Sequence, residues 1–231
     1  MLGASSYGYL VVAAHALDAA GFARLGVVWV ALFTVAPGLF LPLEQAIAQR
    51  VAVNGHGQAV LVRRAAALGS GLAASVTILS VAAWPWIGAR LFDNDSGLFL
   101  AMLLATCALV PVHVSRGLFA GSGRFSRYGA QLAIDGGLRL AGAAALGALG
   151  VRSTVAFAAV LVAAPLIAVA ASLLGGARPG SSMSLLLRSD AGRPGAQDAS
   201  WLLLARGLGW MLVGTLVAQI LANGATVVVK A

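Results

Sequence analysis

Three polar residues, Gln131, Asp135 and Arg139, recur at four-residue spacing inside the apolar stretch 129–149. Side chains four residues apart share one face of a helix, and a charged group inside an apolar stretch is costly enough to indicate a specific role. Asp135 and Arg139 could simply neutralise each other as a pair one helical turn apart. Alternatively, Arg139 binds an anionic ligand group in a water-filled cavity, where Asp135 modulates the charge.

Further polar residues lie at matching depths in two other apolar stretches, which favours the cavity. Glu44 follows two prolines in one stretch, and His113 and Arg116 follow Pro111 in the other. Prolines in transporter helices often mark bends that open a cavity. His113 could relay protons or could simply form an interhelical hydrogen bond, and Arg116 could extend to the headgroups instead. The predicted substrate-binding residues are Glu44, His113, Arg116, Gln131, Asp135 and Arg139.

Small residues occupy the opposite face of the 129–149 stretch. They also recur every four residues, shifted by two from the polar set, which is about 200° around a helix. Such residues let a neighbouring helix approach closely. We therefore expect the small face to pack against a neighbour and the polar face to line the cavity. The small face consists of Gly129, Ala133, Gly137, Ala141 and Ala145.

The composition identifies an integral membrane protein. The chain is 60% hydrophobic and 10% charged, whereas soluble domains carry roughly 25% charged residues. Its apolar blocks have the length, about 20 residues, that crosses a bilayer core as a helix. Lipid offers the backbone no hydrogen-bond partner, so the blocks must be helical. The predicted fold is an all-α, polytopic bundle of transmembrane helices.

The blocks predict seven membrane spans, at 2–17, 25–49, 65–87, 97–119, 129–149, 154–174 and 201–222. Residues 175–200 are polar and rich in Gly, Ser and Pro, so they separate six spans from a seventh. The predicted domains are a six-helix lobe at 1–174, a cytoplasmic connector at 175–200, and a seventh helix with an outer tail at 201–231. A signal peptide at the N-terminus is disfavoured because no Lys or Arg precedes Arg24.

Arginine is distributed unevenly between the two sides of the predicted bundle. Most arginines fall at or near the loops 51–64, 121–128 and 175–200. Loops rich in Lys and Arg stay in the cytoplasm. The N-terminus is therefore predicted to be inside, and the loops 18–24, 88–96 and 150–153 outside.

Other function classes are disfavoured by the residues present. The net charge of +8 comes from scattered cations with no basic stripe or stacking aromatics, so nucleic acid is not a predicted partner. The three histidines are far apart, no HExxH or P-loop occurs, and Cys107 stands alone. We predict no catalytic residue, no metal ligand and no cofactor, and therefore no enzyme.

Three stretches carry a resemblance to a known family: PLEQAIAQR at 42–50, SRGLFAGSGRFSRYGAQLAIDGGLRL at 115–140, and the last span with NGATVVVK at 223–230. Together they resemble the polysaccharide-biosynthesis branch of the multidrug/oligosaccharidyl-lipid/polysaccharide flippase superfamily. The resemblance implies two lobes around a central cavity and export of lipid-linked saccharide by alternating access. It also implies a multi-pass protein of the bacterial cytoplasmic membrane, whose partners are the bilayer and a lipid-linked saccharide.

By this resemblance the chain covers one lobe and the first helix of a second. We therefore expect a truncated or half-length flippase that works with a second half or a second copy of the chain. Three alternatives stay open. They are a multidrug/cation antiporter of the same superfamily, a membrane-embedded enzyme of lipid-linked sugar metabolism, and a membrane scaffold that transports nothing.

Overall fold

The structure, a computed structural model, describes residues 2–53, 58–175 and the positions 209, 213–215, 217 and 218. Every regular element in the described residues is helical, which confirms the all-α prediction. The elements are α1 (Leu2–Ala16), α2 (Ala19–Val35), a π-helical turn (Ala36–Phe40), α3 (Leu41–Val53), α4 (Gln58–Phe92), α5 (Ser96–Gly121), α6 (Phe125–Ala148) and α7 (Thr154–Leu174).

Four helical stretches are long and apolar enough to cross a membrane: Ala19–Val53, Val60–Phe92, Ser96–Gly121 and Thr154–Leu174. They confirm a protein with several helices suited to a bilayer. The helix α1 has 15 residues, and α6 carries the charged stripe, so neither is among the four. The count of seven spans stays a prediction. The predicted connector after its first residue and most of the predicted seventh span lie outside the described residues.

The second predicted span is longer than expected, because the helix continues through its prolines from Ala19 to Val53. Pro42 has no N–H to donate to the carbonyl of Gly38, four residues earlier. The backbone widens into the π-helical turn there, and the N–H of Leu41 donates to the Ala36 carbonyl, five residues back. The hydroxyl of Thr215 donates to the Gly38 oxygen over 2.8 Å. A residue of the predicted seventh span thus contacts the weakened turn.

The helix α5 is the centre of the described bundle, since it contacts α2, α3, α4, α6 and α7. Two buried apolar clusters lie along it. One contains Leu98, Met102 and Ala105 of α5, and the other contains Val114. The functional side chains described below lie between and beside these clusters, so apolar packing at both ends fixes their positions.

The helices α3 and α5 approach each other unusually closely, and two glycines of α5 permit it. A Cβ atom at Gly117 would lie 2.8 Å from the carbonyl oxygen of Glu44, and one at Gly121 would lie 2.5 Å from that of Ala48. Atoms do not approach so closely without displacement. This contact therefore requires glycine, and it holds the Glu44 segment of α3 against α5.

The expectation for the small-residue face of α6 is wrong within the described part of the chain. All five of its residues, from Gly129 to Ala145, are exposed. The neighbours contact the flanks of α6 instead: α1 reaches Leu140 beside Gly8, and α7 reaches Gly142 through Val160. The physical reason is that a charged stripe is far more costly to leave in lipid than a face of Gly and Ala. The polar stripe therefore turns inward.

Three predicted outer loops lie at one end of the bundle. Arg24 Nε is 3.7 Å from Asp93 Oδ2, and a Cβ atom at Gly21 would lie 2.8 Å from Thr154 Oγ1. At the opposite end, Gly121 packs against Ala48 of α3. The three predicted outer loops therefore share one end, whereas the predicted inner loop 175–200 lies outside the described residues after position 175. Which end faces the cytoplasm stays a prediction.

Candidate ligand-binding site

Asp135 and Arg139 form the pair that their spacing predicts. Arg139 Nε donates to Asp135 Oδ1 over 2.8 Å, and Arg139 Nη2 donates to Asp135 Oδ2 over 3.1 Å. Two parallel hydrogen bonds of this kind are the strongest form of a carboxylate–guanidinium contact. The Asp135 side chain is 2% exposed and that of Arg139 is 14% exposed. The neutralising pair that was predicted as one option is therefore present, but it is only part of the arrangement around Asp135.

A second arginine binds the same carboxylate. Arg116 Nη2, on α5, donates to Asp135 Oδ2 over 3.1 Å, and the Arg116 side chain is 11% exposed. Arg116 thus turns into the bundle and does not extend to the headgroups. Two guanidinium groups share one carboxylate, which leaves this triad with one excess positive charge.

The Arg116 guanidinium has spare hydrogen-bonding capacity. Its Nε is buried and has no hydrogen-bond partner among the described residues. An unmet buried donor costs about 1–3 kcal/mol. This N–H is itself buried, so the triad is suited to an anion by its excess positive charge.

Glu44 and His113 form a second buried pair, between α3 and α5. His113 Nδ1 lies 2.8 Å from Glu44 Oε2, and both side chains are 7% exposed. Tyr128 of α6 donates its hydroxyl to Glu44 Oε1 over 3.0 Å. The Phe40 ring stacks on the imidazole at a centroid distance of 5.7 Å. The interhelical hydrogen bond predicted as one option for His113 is therefore present.

Gln131 has a structural contact. It is fully buried, and its side-chain amide donates to Ser115 Oγ of α5 over 3.1 Å. It is not among the residues that border the cavity described next. Gln131 therefore joins α6 to α5 one helical turn before Asp135, and its predicted role as a direct ligand contact has no geometric support here.

A cavity of about 260 Å³ opens beside the triad. Its polar end is formed by His113, Arg116, Asp135 and Arg139. The rest of its wall is apolar and is contributed by α2, the π-helical turn, α3, α5 and α7. That wall includes Leu32, Pro37, Leu109, Leu161 and Pro165. One cavity thus offers a charged end and an apolar body.

Four of the six predicted residues border this cavity, and the other two support it. Glu44 does not border the cavity but contacts His113, which does. Gln131 contacts Ser115 and thereby joins the neighbouring turn of α6 to α5. Sequence reasoning missed Tyr128 and Ser115 as partners. Tyr128 lies three residues before Gln131, on the same helical face as the polar stripe, so extending that stripe by one turn would have found it. Nothing in the sequence marks Ser115.

The chain matches no protein-family model, no curated protein and no solved structure. The flippase resemblance is therefore carried only by the three stretches quoted above.

Proposed function

We propose that the chain forms the substrate-binding lobe of a membrane transporter that exports a polyprenyl-phosphate-linked saccharide. The single observation that supports this best is the two-sided cavity, with Arg116 and Arg139 at one end and an apolar wall beyond them. Guanidinium groups recognise phosphate through charge and paired donors. An apolar wall suits the prenyl carbons next to that phosphate.

The size of the cavity fits the part of such a substrate that joins lipid to sugar. This cavity measures about 260 Å³, which is less than the roughly 300–1,000 Å³ of common small-molecule sites, so it can hold only a small part of such a substrate. It would accommodate a diphosphate and the first prenyl carbons. The rest of the prenyl chain would extend into lipid and the saccharide into water. A site that recognises only the linkage tolerates different saccharides.

The cation-antiporter alternative is less well supported by the same contacts. A site for an organic cation needs a carboxylate that borders the cavity and whose negative charge is not already paired with a cation. Both oxygens of Asp135 accept from arginine, and both oxygens of Glu44 have partners in His113 and Tyr128. The cations that border the cavity, in contrast, are two arginines, Arg116 and Arg139.

Alternating access requires two bodies that rock around a site near the bilayer midplane. Within the proposal, a second half or a second copy of the chain supplies the other body. The bacterial cytoplasmic membrane, with the N-terminus inside, is the proposed location. The Pro-interrupted α2–α3 helix, with its π-helical turn at Ala36–Phe40, would be the point of bending.

Translocation of a fluorescent, short-chain prenyl-diphosphate saccharide across proteoliposomes tests the proposal. The wild-type chain, reconstituted at a density at which two copies can pair, should accelerate translocation over empty liposomes. The Arg139→Ala variant should lower the rate at least about tenfold, because one charge-assisted contact contributes roughly 1.5–3 kcal/mol. Arg152→Ala, an exposed arginine before α7, is the matched control and should keep the wild-type rate. Equal rates in wild type and Arg139→Ala would contradict the proposal.

A further inference from the structure

We propose that the buried Glu44–His113 pair is a proton-binding site that sets the net charge of the cavity, and thereby its affinity for an anion. This inference rests on the proposed function, since it concerns the anion site formed by Arg116 and Arg139. It assigns a second ligand, a proton, to residues that the substrate contacts alone do not explain.

One proton changes the formal charge of the groups around the cavity from zero to +1. The triad of Arg116, Asp135 and Arg139 has a formal charge of +1. With a neutral imidazole, the Glu44–His113 pair has a formal charge of −1, so the whole group sums to zero. One added proton makes the pair neutral, wherever the proton lies between the two side chains, and the group then carries +1. The protonated group therefore attracts an anion more strongly than the unprotonated group does.

Proximity carries the second step. His113 borders the same cavity as Arg116, Asp135 and Arg139, and it lies one helical turn before Arg116 on α5. Its Nδ1 is 2.8 Å from Glu44 Oε2. In a site shielded from water, charges on neighbouring side chains such as His113 and Arg116 interact far more strongly than they do in solution. A proton gained at the pair is therefore felt by an anion held at the triad.

No other charged group competes for this role among the described residues nearest the site. Tyr128 of α6 is a neutral hydroxyl that donates to Glu44, and Tyr9 of α1 donates to the Phe157 carbonyl. The helix α7 has no charged residue. The charged residue of α2, Arg24, lies near Asp93 at the far end of the bundle. In α4, Arg63, Arg64 and Arg90 lie toward the helix ends, Arg50 is near the end of α3, and Arg127 is in the first turn of α6.

The sign of the coupling follows. If an anion binds better to the protonated group, then by reciprocity the bound anion also strengthens proton binding. Acidification should therefore tighten anion binding, by up to about tenfold per pH unit for one linked proton. The measurement starts at about pH 8, where an ordinary imidazole is neutral, and continues to acid pH.

The test uses farnesyl sulfonate, a prenyl anion whose single charge does not change over this range, and the purified full chain in lipid nanodiscs. Affinity for the wild type should tighten on acidification, and mixing in weak buffer should show proton uptake on binding. Glu44→Gln removes the negative charge of the pair and can keep both hydrogen bonds, so it should bind tightly already at about pH 8. The double variant Glu44→Gln/His113→Asn has no titrating group in the pair. It should bind without proton uptake and with an affinity independent of pH.

The outcomes separate the two ideas. A merely structural role for the pair would weaken binding in both variants at every pH. That result, or a double variant that keeps the wild-type pH dependence, overturns the proton site and leaves the anion cavity in place. An absence of farnesyl sulfonate binding at any pH, in wild type and in Glu44→Gln alike, overturns the proposed function and this inference with it. Circular dichroism melting of each variant shows whether the fold is kept.

Discussion

Arg116 on α5 and Arg139 on α6 donate to the same carboxylate oxygen, Asp135 Oδ2, each over 3.1 Å. This shared acceptor joins two helices at the polar end of the cavity. It brings together two positive groups that would otherwise repel each other in a poorly solvated place. The carboxylate is thus the structural centre of the site, and the arginines are the groups left facing the cavity.

The shared carboxylate leads to a prediction about stability. Asp135→Asn removes the only acid that faces both arginines in the triad, and breaking a buried ion pair costs about 3–5 kcal/mol. We expect a loss of about 3 kcal/mol in the free energy of unfolding, measured by denaturant titration in detergent. Asp93→Asn is the matched control, since Asp93 is 64% exposed and lies 3.7 Å from Arg24. Exposed pairs contribute about 0–1 kcal/mol. Equal losses in the two variants would refute the central role of Asp135.

The arginine side chain itself leads to a prediction about affinity. Arg139→Ala should weaken binding of farnesyl diphosphate by about 10- to 100-fold, since a hydrogen bond to a charged group contributes about 1.5–3 kcal/mol. Arg139→Lys should recover only part of this loss, because Lys keeps the charge without the planar pair of donors. Isothermal titration on nanodisc-embedded protein measures the three affinities. Full recovery by Lys would mean that charge alone matters there.

The close contact of α3 and α5 is tested by a matched pair of glycines. Gly117→Ala places a methyl group 2.8 Å from the Glu44 carbonyl oxygen, and overpacking of this kind costs about 1–3 kcal/mol. Gly137→Ala, on the exposed face of α6, meets nothing within 4 Å. It should be neutral or stabilising by up to about 1 kcal/mol, as expected from helix propensity. Thermal unfolding compares them. Equal stability of Gly117→Ala and Gly137→Ala would contradict a close contact of α3 and α5 at Gly117.

The predicted orientation is tested at the two ends of one helix. Ser96 and Ser122 are both exposed and lie at the start of α5 and just after its end. On a Cys107→Ser background, a cysteine at position 96 should react with an impermeant thiol reagent in intact cells. A cysteine at position 122 should react only after the membrane is permeabilised, because the arginine-rich end stays in the cytoplasm. The reverse pattern would place the N-terminus outside.

Local sequence features predicted the elements well. The helix α7 begins and ends where the sequence indicates, since Ser153 caps its start and the apolar run ends before Gly175. The spacing of Asp135 and Arg139 predicted their pairing, because one helical turn separates them. Features of this kind depend only on the residues of one helix.

Relationships between helices were not predictable in the same way. The contact of Arg116 with Asp135 depends on the register of α5 against α6, which the sequence does not give. The sequence also did not show that the glycines of α5, and not the small residues of α6, would pack against a neighbouring helix. Small residues occur in both helices, and the sequence does not say which set meets a neighbour. The cost of exposing charge decided the rotation of α6, and the partner on α5 that receives the charged stripe, Arg116, could not be predicted from α6 alone.

The most direct measurement of the central claim is photo-crosslinking of the reconstituted chain with a prenyl diphosphate that carries a diazirine on its first prenyl unit. Mass spectrometry should find the label on the apolar cavity wall, at residues such as Leu109 or Leu161. Excess unlabelled prenyl diphosphate should compete for the site, and Arg139→Ala should lose the label. Label found instead on the outward face of α4, at the exposed Ile78 and Leu79, and unchanged in Arg139→Ala, would contradict an anion-binding cavity at the arginine triad.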